Sequence, residues 1–225
     1  MRVVAVIPAY NEASRIGLAI RDALAYVDAV VVVDDCSQDQ TFAVSLAEGA
    51  IVLRHVVNRG QGAALQTATD YALRFLEPDV IVHFDADGQM QAGEIAQLLE
   101  PIVQGRADIV LGSRFLGIEA ENMPALRRLL LRAGVIFTVV LSGIKVTDSQ
   151  NGFRALSRKA AEDIRITLDR MAHASEILDL IKVKSLRYEE RPVTIRYSLD
   201  TLGKSPSNWR ALGIAKDMLK KKIVR

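Results

Sequence analysis

With 225 residues, half of them hydrophobic and a quarter charged, the chain is long enough to bury the core of one α/β domain and too apolar to be a disordered polymer. Its net charge of +2 gives no argument for a nucleic-acid partner, and a single cysteine, Cys36, excludes an intramolecular disulfide and a cysteine-based metal site. A reducing, cytoplasmic setting is expected: Met1-Arg2 leads directly into Val3 to Ile7, too short for a signal-peptide core, and the longest apolar stretch, Ala133 to Ile144, falls short of the roughly 18 to 20 residues that cross a bilayer.

Runs rich in Val and Ile at 3–7, 29–33, 50–53, 80–84 and 108–111 predict strands, and the segments 13–26, 40–48, 61–76 and 93–104 between them carry helical spacing. This alternation predicts βαβ units and a doubly wound, mostly parallel sheet. Because the strands are near-continuous apolar runs, helices are expected on both faces. After Arg114 the pattern changes. Asn122 and Pro124 read as a helix start, followed by the apolar segment Leu126 to Ile144 with Arg127, Arg128 and Arg132 near its beginning. Residues 157–165 and 174–183 read as helices, and Arg187 to Tyr197 as an extended, hairpin-like segment containing Pro192.

From Ser205 a last helix is predicted. It places Trp209, Leu212, Ala215 and Leu219 at helical spacing among Arg210, Lys216, Lys220, Lys221, Lys222 and Arg225. Such a basic amphipathic helix suits an anionic membrane surface, and it equally suits packing on the domain with a solvated basic end.

Chemistry is expected in the loops that leave the strands. Strand one ends in Pro8-Ala9-Tyr10-Asn11-Glu12, strand two in Asp34-Asp35-Cys36-Ser37-Gln38-Asp39, and the 80–84 strand in Asp85-Ala86-Asp87-Gly88-Gln89. In a parallel sheet these endings share one edge, where open α/β sheets bind ligands. Asp85 and Asp87 stand at i and i+2, so both can aim at one point. Two such carboxylates repel unless a hard cation such as Mg²⁺ or Mn²⁺ lies between them, and the alternative is a solvated Asp-Gly turn. Asn58-Arg59-Gly60-Gln61-Gly62 offers a glycine loop for close backbone approach. No Gly-x-Gly-x-x-Gly follows strand one, which argues against a dinucleotide-dependent dehydrogenase.

PAYNE at 8–12, VVDDCSQDQT at 32–41, NRGQGAA at 58–64, DADGQ at 85–89, GSRF at 112–115 and DSQNGFR at 148–154 together resemble the family 2 glycosyltransferases. Within them the likeness is greatest to the dolichol-phosphate mannosyltransferase and glucosyltransferase branch. The resemblance spans about residues 3 to 200 and implies a GT-A fold: a catalytic domain at 1–203, followed by the basic helix at 204–225. It implies that Pro8, Ala9, Tyr10, Glu12 and Asp35 hold the nucleoside of a GDP- or UDP-hexose, with Gly62 elsewhere in the nucleotide-sugar site. Tyr10 would pack against the base, and Asp35 and Glu12 would accept hydrogen bonds from base or ribose. Asp85, Ala86, Asp87 and Gln89 become the Asp-x-Asp segment, with Asp85, Asp87 and Gln89 around Mg²⁺ or Mn²⁺, and Lys204 and Ser205 a basic loop over the diphosphate.

On the acceptor side the resemblance places Arg114, a planar cation for phosphate recognition, and Asn151, Gly152, Phe153 and Arg154. Asp148 takes the place of the acid near the attacking group. With an alcohol acceptor it serves as general base, and with an already ionised phosphate acceptor it only orients. His173 and Glu176, three apart on one helical face, offer a further metal ligand. The activity implied is inverting, metal-dependent transfer of a hexose to a polyprenyl phosphate such as dolichyl phosphate, by an enzyme in peripheral contact with the cytoplasmic membrane face. Transfer to a soluble or lipid-linked glycan, and nucleotide-sugar binding without turnover, remain as alternatives.

Overall fold

The structure, a computed structural model, describes residues 1–116, 143–168 and 172–196. These build a seven-stranded sheet in the order β3-β2-β1-β4-β6-β5-β7: β1 Val3–Ala9, β2 Ala29–Asp34, β3 Ile51–Arg54, β4 Val80–His83, β5 Ile109–Ser113, β6 Arg154–Ser157 and β7 Tyr188–Pro192. The helices are α1 Ile16–Leu24, α2 Thr41–Ala47, α3 Gln61–Phe75, α4 Ile95–Val103, α5 Arg158–Asp163 and α6 His173–Val183. The pairs β1–β2, β2–β3 and β1–β4 are parallel, while β6 runs antiparallel between β4 and β5. The chain thus has the mostly parallel, helix-flanked sheet of a GT-A fold.

The strands are apolar because both faces are covered. Along β1, Val3, Ala5 and Ile7 join one buried cluster with Ile16, Ile20, Ile95 and Leu98 of α1 and α4. The alternate residues Val4 and Val6 join a second cluster with Ala64 and Ala68 of α3 and Ile177 and Ile181 of α6. Small residues on α3 let that helix lie close to β1 and β2. Ser157 caps α5 by accepting a hydrogen bond from the Ala160 N–H at 3.2 Å, the short-range reason the chain turns from strand to helix there.

One expectation changes. The segment Arg187 to Tyr197 is no hairpin: Tyr188–Pro192 is a strand parallel to β5, in register from Ile109 with Tyr188 to Ser113 with Pro192. Pro192 is tolerated because, among the described residues, β7 has no further neighbour beyond it. Residues 154–157 form an antiparallel strand within the sheet, where Ala155 and Leu156 fill the space between β4 and β5. The predicted helix start at Asn122 and Pro124, all of Leu126 to Ile144 except its last two residues, and the 204–225 helix lie outside the described residues.

Candidate active site

The first two loops on the carboxyl edge are stitched together by polar side chains acting on backbone. Asn11 and Cys36 take left-handed backbone conformations, with φ of 54° and 66°, which turns the chain sharply after each strand. The Asn11 N–H donates to Ser37 Oγ at 2.9 Å, and the Gln38 N–H donates back to Asn11 Oδ1 at 2.8 Å. The Glu12 N–H donates to Thr41 Oγ1 at 2.8 Å, and Glu12 is ion-paired with Arg15. Burial raises the Asp39 carboxyl, but hydrogen bonds from Thr41 and from backbone N–H groups outweigh it and hold the group below its ordinary range.

Asp35 organises the third loop. Its Oδ1 accepts from the Arg59 N–H at 2.9 Å and lies 2.7 Å from His55 Nδ1, while its Oδ2 accepts from the Gly60 N–H at 2.6 Å. His55 Nε2 lies 3.0 Å from Thr67 Oγ1, so the ring is fixed at both nitrogens. Asp35 therefore spends most of its accepting capacity on the loop, before any ligand is considered. Pro8 and Ala9 are buried inside β1, whereas Tyr10 is 45% exposed at its end. Gly62 departs from its expected part. A Cβ there would lie 2.2 Å from the Leu168 carbonyl oxygen and 3.0 Å from His173 Cβ, so the missing side chain serves the packing of α3 against the segment before α6.

Of the pair His173 and Glu176, Glu176 has a structural part. The Glu176 carboxylate accepts from the Thr167 N–H at 3.0 Å, the Leu168 N–H at 2.7 Å and Thr167 Oγ1 at 2.5 Å, closing the turn before α6. Among the described residues no group of three or more His, Cys, Asp or Glu side chains is placed to hold a metal.

Asp85 and Asp87 follow β4 as expected. Burial, with Asp87 beside it, raises the Asp85 carboxyl to about 7, against the opposing pull of Arg154 and Arg114. Gln61 Nε2 donates to Asp85 Oδ1 at 3.2 Å, and Asp87 Oδ1 accepts from the Gln89 N–H at 3.0 Å. A crowded acidic pair of this kind fits a divalent cation, which would remove the repulsion that raises Asp85. The protein would then supply Asp85, Asp87 and Gln89, with the other positions left to the donor and water.

Behind this pair lies buried charge. Arg154 is 2% exposed and sits directly across from His83 in the β4–β6 register. Burial lowers the Arg154 guanidinium to about 10 against the pull of Asp148 and Asp85, and its Nη1 has no hydrogen-bond partner among the described residues. Burial, then Arg154 and His173, push His83 down to about 3, so its ring is neutral. The residues expected to face the acceptor are thus interior. Asn151, Phe153 and Arg154 are buried, with Phe153 packed edge-on against Phe84 at 5.5 Å. They shape the site from behind because β6 is inserted into the sheet.

Arg114 and Asp148 form a buried bidentate pair. Arg114 Nε donates to Asp148 Oδ2 at 2.6 Å, Nη2 to Oδ1 at 2.7 Å, and the Arg114 N–H to Oδ2 at 3.1 Å. The Gln150 N–H adds a further donor to Oδ1 at 3.2 Å. Glu190 of β7 fixes the turn that carries Asp148. It accepts from the Thr147 N–H and Oγ1 at 2.9 Å each and from the Asp148 N–H at 3.3 Å. Burial raises the Glu190 carboxyl, hydrogen bonds from Thr147 and Asp148 oppose this, and the charge of Asp148 adds to the rise. Glu190 and His55 were not singled out by sequence, because neither sits in a motif.

The sequence profile described as Glycosyl transferase family 2 matches residues 4–165, nearly three quarters of the chain. The chain belongs to that family and is a glycosyltransferase. Over 214 residues it is 31% identical to a UDP-N-acetylglucosamine–dolichyl-phosphate N-acetylglucosaminyltransferase of Methanococcus voltae, covering 86% of this chain and 85% of that protein. It is 37% identical over 165 residues to an undecaprenyl-phosphate mannosyltransferase of Micrococcus luteus, covering 69% of this chain and 66% of that one. Glucosyl-3-phosphoglycerate synthase of Mycobacterium tuberculosis, crystallised with Mn²⁺ and UDP-glucose, shares the fold with a TM-score of 0.64 and 22% identity, over 90% of this chain and 74% of that one. Among the described residues no helix is long and apolar enough to cross a membrane. Lys204 and Ser205, expected over the diphosphate, lie outside those residues.

Proposed function

We propose that this glycosyltransferase moves a hexosyl unit from a nucleotide sugar to a polyprenyl phosphate, with inversion and with Mg²⁺ or Mn²⁺. The observation that carries the acceptor class is the state of Asp148. Four N–H donors occupy its two oxygens, so it keeps no lone pair with which to take a proton from an alcohol. A phosphate oxygen is already ionised and needs no base. Asp148 then acts by holding Arg114, whose buried guanidinium marks the place for the acceptor's negative charge. Relatives named as polyprenyl-phosphate sugar transferases support the same class.

On the donor side, Tyr10 offers its exposed ring to the base, and Asp35 with Glu12 completes the nucleoside site. Asp85, Asp87 and Gln89 would hold the cation, which neutralises the charge growing on the departing diphosphate. Gln61 holds Asp85 from α3, and the Gln89 N–H holds Asp87. The acceptor is met from the membrane surface, with the enzyme on the cytoplasmic face and the basic segment 204–225 as its peripheral contact. A soluble phosphorylated acceptor is the rival reading, favoured by the likeness in fold to a synthase crystallised with phosphoglyceric acid.

The test is incubation with Mn²⁺, labelled UDP- and GDP-hexoses, and either a polyprenyl phosphate or phosphoglycerate. Label in the lipid extract is the expected outcome. Label only in the aqueous phosphate ester overturns the lipid reading, and donor binding without transfer to any acceptor overturns the catalytic one.

A further inference from the structure

We infer that Gly152, expected on the acceptor side, is a positioning residue for Asp85 and therefore works on the donor side; this rests on the metal role proposed above for Asp85. Among the described glycines, Gly49, Gly60, Gly88, Gly105 and Gly143 have positive φ, and Gly152 does not. Its backbone therefore accepts any residue, and its demand is for space. A Cβ built on Gly152 would lie 3.0 Å from Asp85 Oδ2, 3.1 Å from Oδ1 and 3.4 Å from Cγ, and these are its three nearest atoms. The carboxylate lies against the bare Cα. By contrast, Gly62 and Gly112 are confined mainly by the backbone oxygens of Leu168 and Phe153, contacts that concern packing alone.

The segment carrying Gly152 is the fixed partner. The Gly112 N–H donates to the Phe153 carbonyl at 2.8 Å, the Phe153 N–H donates to Asn151 Oδ1 at 3.0 Å, and β6 is paired on both sides from Arg154 onward. Arg154, two residues along, draws the Asp85 charge toward this segment from the interior. Gln61 holds Asp85 Oδ1 from α3 at 3.2 Å. A methyl group at 152 must therefore move the short Asp85 side chain, not the strand. Metal coordination tolerates errors of only about 0.2 Å in ligand distance, so a displacement of a few tenths of an ångström is felt by the cation.

The experiment combines Mn²⁺ titration by electron paramagnetic resonance with thermal unfolding, on wild type, Gly152→Ala, Asp85→Ala and the double variant, all as the full chain. Gly152→Ala should weaken Mn²⁺ binding about tenfold and leave the acceptor KM unchanged. Removing the carboxylate removes what the methyl meets, so in the Asp85→Ala background Gly152→Ala should cost no further thermal stability. Additive losses in the double variant, or a raised acceptor KM with unchanged Mn²⁺ affinity, would overturn the assignment. If the wild type binds no Mn²⁺, the metal role fails by that result alone. The thermal cycle still decides whether Gly152 holds Asp85.

Discussion

The two ends of the sheet edge are built on different principles. Around β1, β2 and β3, the loops are held by side-chain oxygens that accept backbone N–H groups, with Ser37, Thr41 and Asp39 stitching one loop to the next and Asp35 holding the third. Around β4, β6, β5 and β7, the site is held by ions: Asp85, Asp87 and Arg154 on one side, Arg114, Asp148 and Glu190 on the other. The first arrangement fixes its loops through neutral and carboxylate acceptors of backbone N–H groups. Among the described residues, the second holds Arg154 Nη1 and both ring nitrogens of His83 without hydrogen-bond partners, and a carboxyl raised to about 7 by burial and by Asp87.

Substitutions separate the two. The largest effect is expected from Asp87→Asn, or from chelation of the metal: a fall in kcat of about 10² to 10³, the scale of losing one electrostatic stabiliser, with donor binding measured alongside. Asp148→Asn comes next. It leaves Arg114 buried without its counter-ion and should cost about 3–5 kcal/mol in denaturant unfolding. Its residual activity should keep the wild-type pH profile, since no proton transfer is lost. Gly62→Ala should cost about 1–3 kcal/mol through overpacking against Leu168, with little change in acceptor KM.

His55→Ala is expected to act on the donor end only. It frees Asp35 and Thr67 and should raise the donor KM about tenfold with kcat nearly unchanged. A further effect is a pH dependence at the ionic end. Asp85 has its folded pKa raised to about 7 from an ordinary carboxylate value, so its contribution to metal-free stability is full below about pH 4 and is lost as pH rises through about 7. Thermal unfolding followed across that range should show this decline in the wild type. Asp85→Asn should flatten it.

The alternating strand and helix pattern was legible because five strands are apolar runs bounded by loops, and periodicity reads such runs directly. β6 was not, since Arg154-Ala155-Leu156-Ser157 has too short an apolar core to stand out, and β7, Tyr188 to Pro192, carries two glutamates and an arginine. The motif residues that follow β1, β2 and β4 lie along one edge, because loops that follow parallel strands must share an edge. What sequence could not show is which way the ions pair. Asp148 looks the same in sequence whether free as a base or saturated by Arg114, and Gly152 looks like any loop glycine until Asp85 lies against it. Nor does sequence show that Phe153 and Arg154 are buried.

The central claim is that the acceptor's attacking oxygen is already ionised. Transfer from a labelled nucleotide sugar, in the presence of Mn²⁺, to a polyprenyl phosphate and in parallel to the same polyprenol without its phosphate tests it most directly. The pairing of Asp148 with Arg114 predicts a labelled lipid product from the phosphate and none from the alcohol. Equal transfer to the alcohol would contradict it and would return Asp148 to the part of a general base.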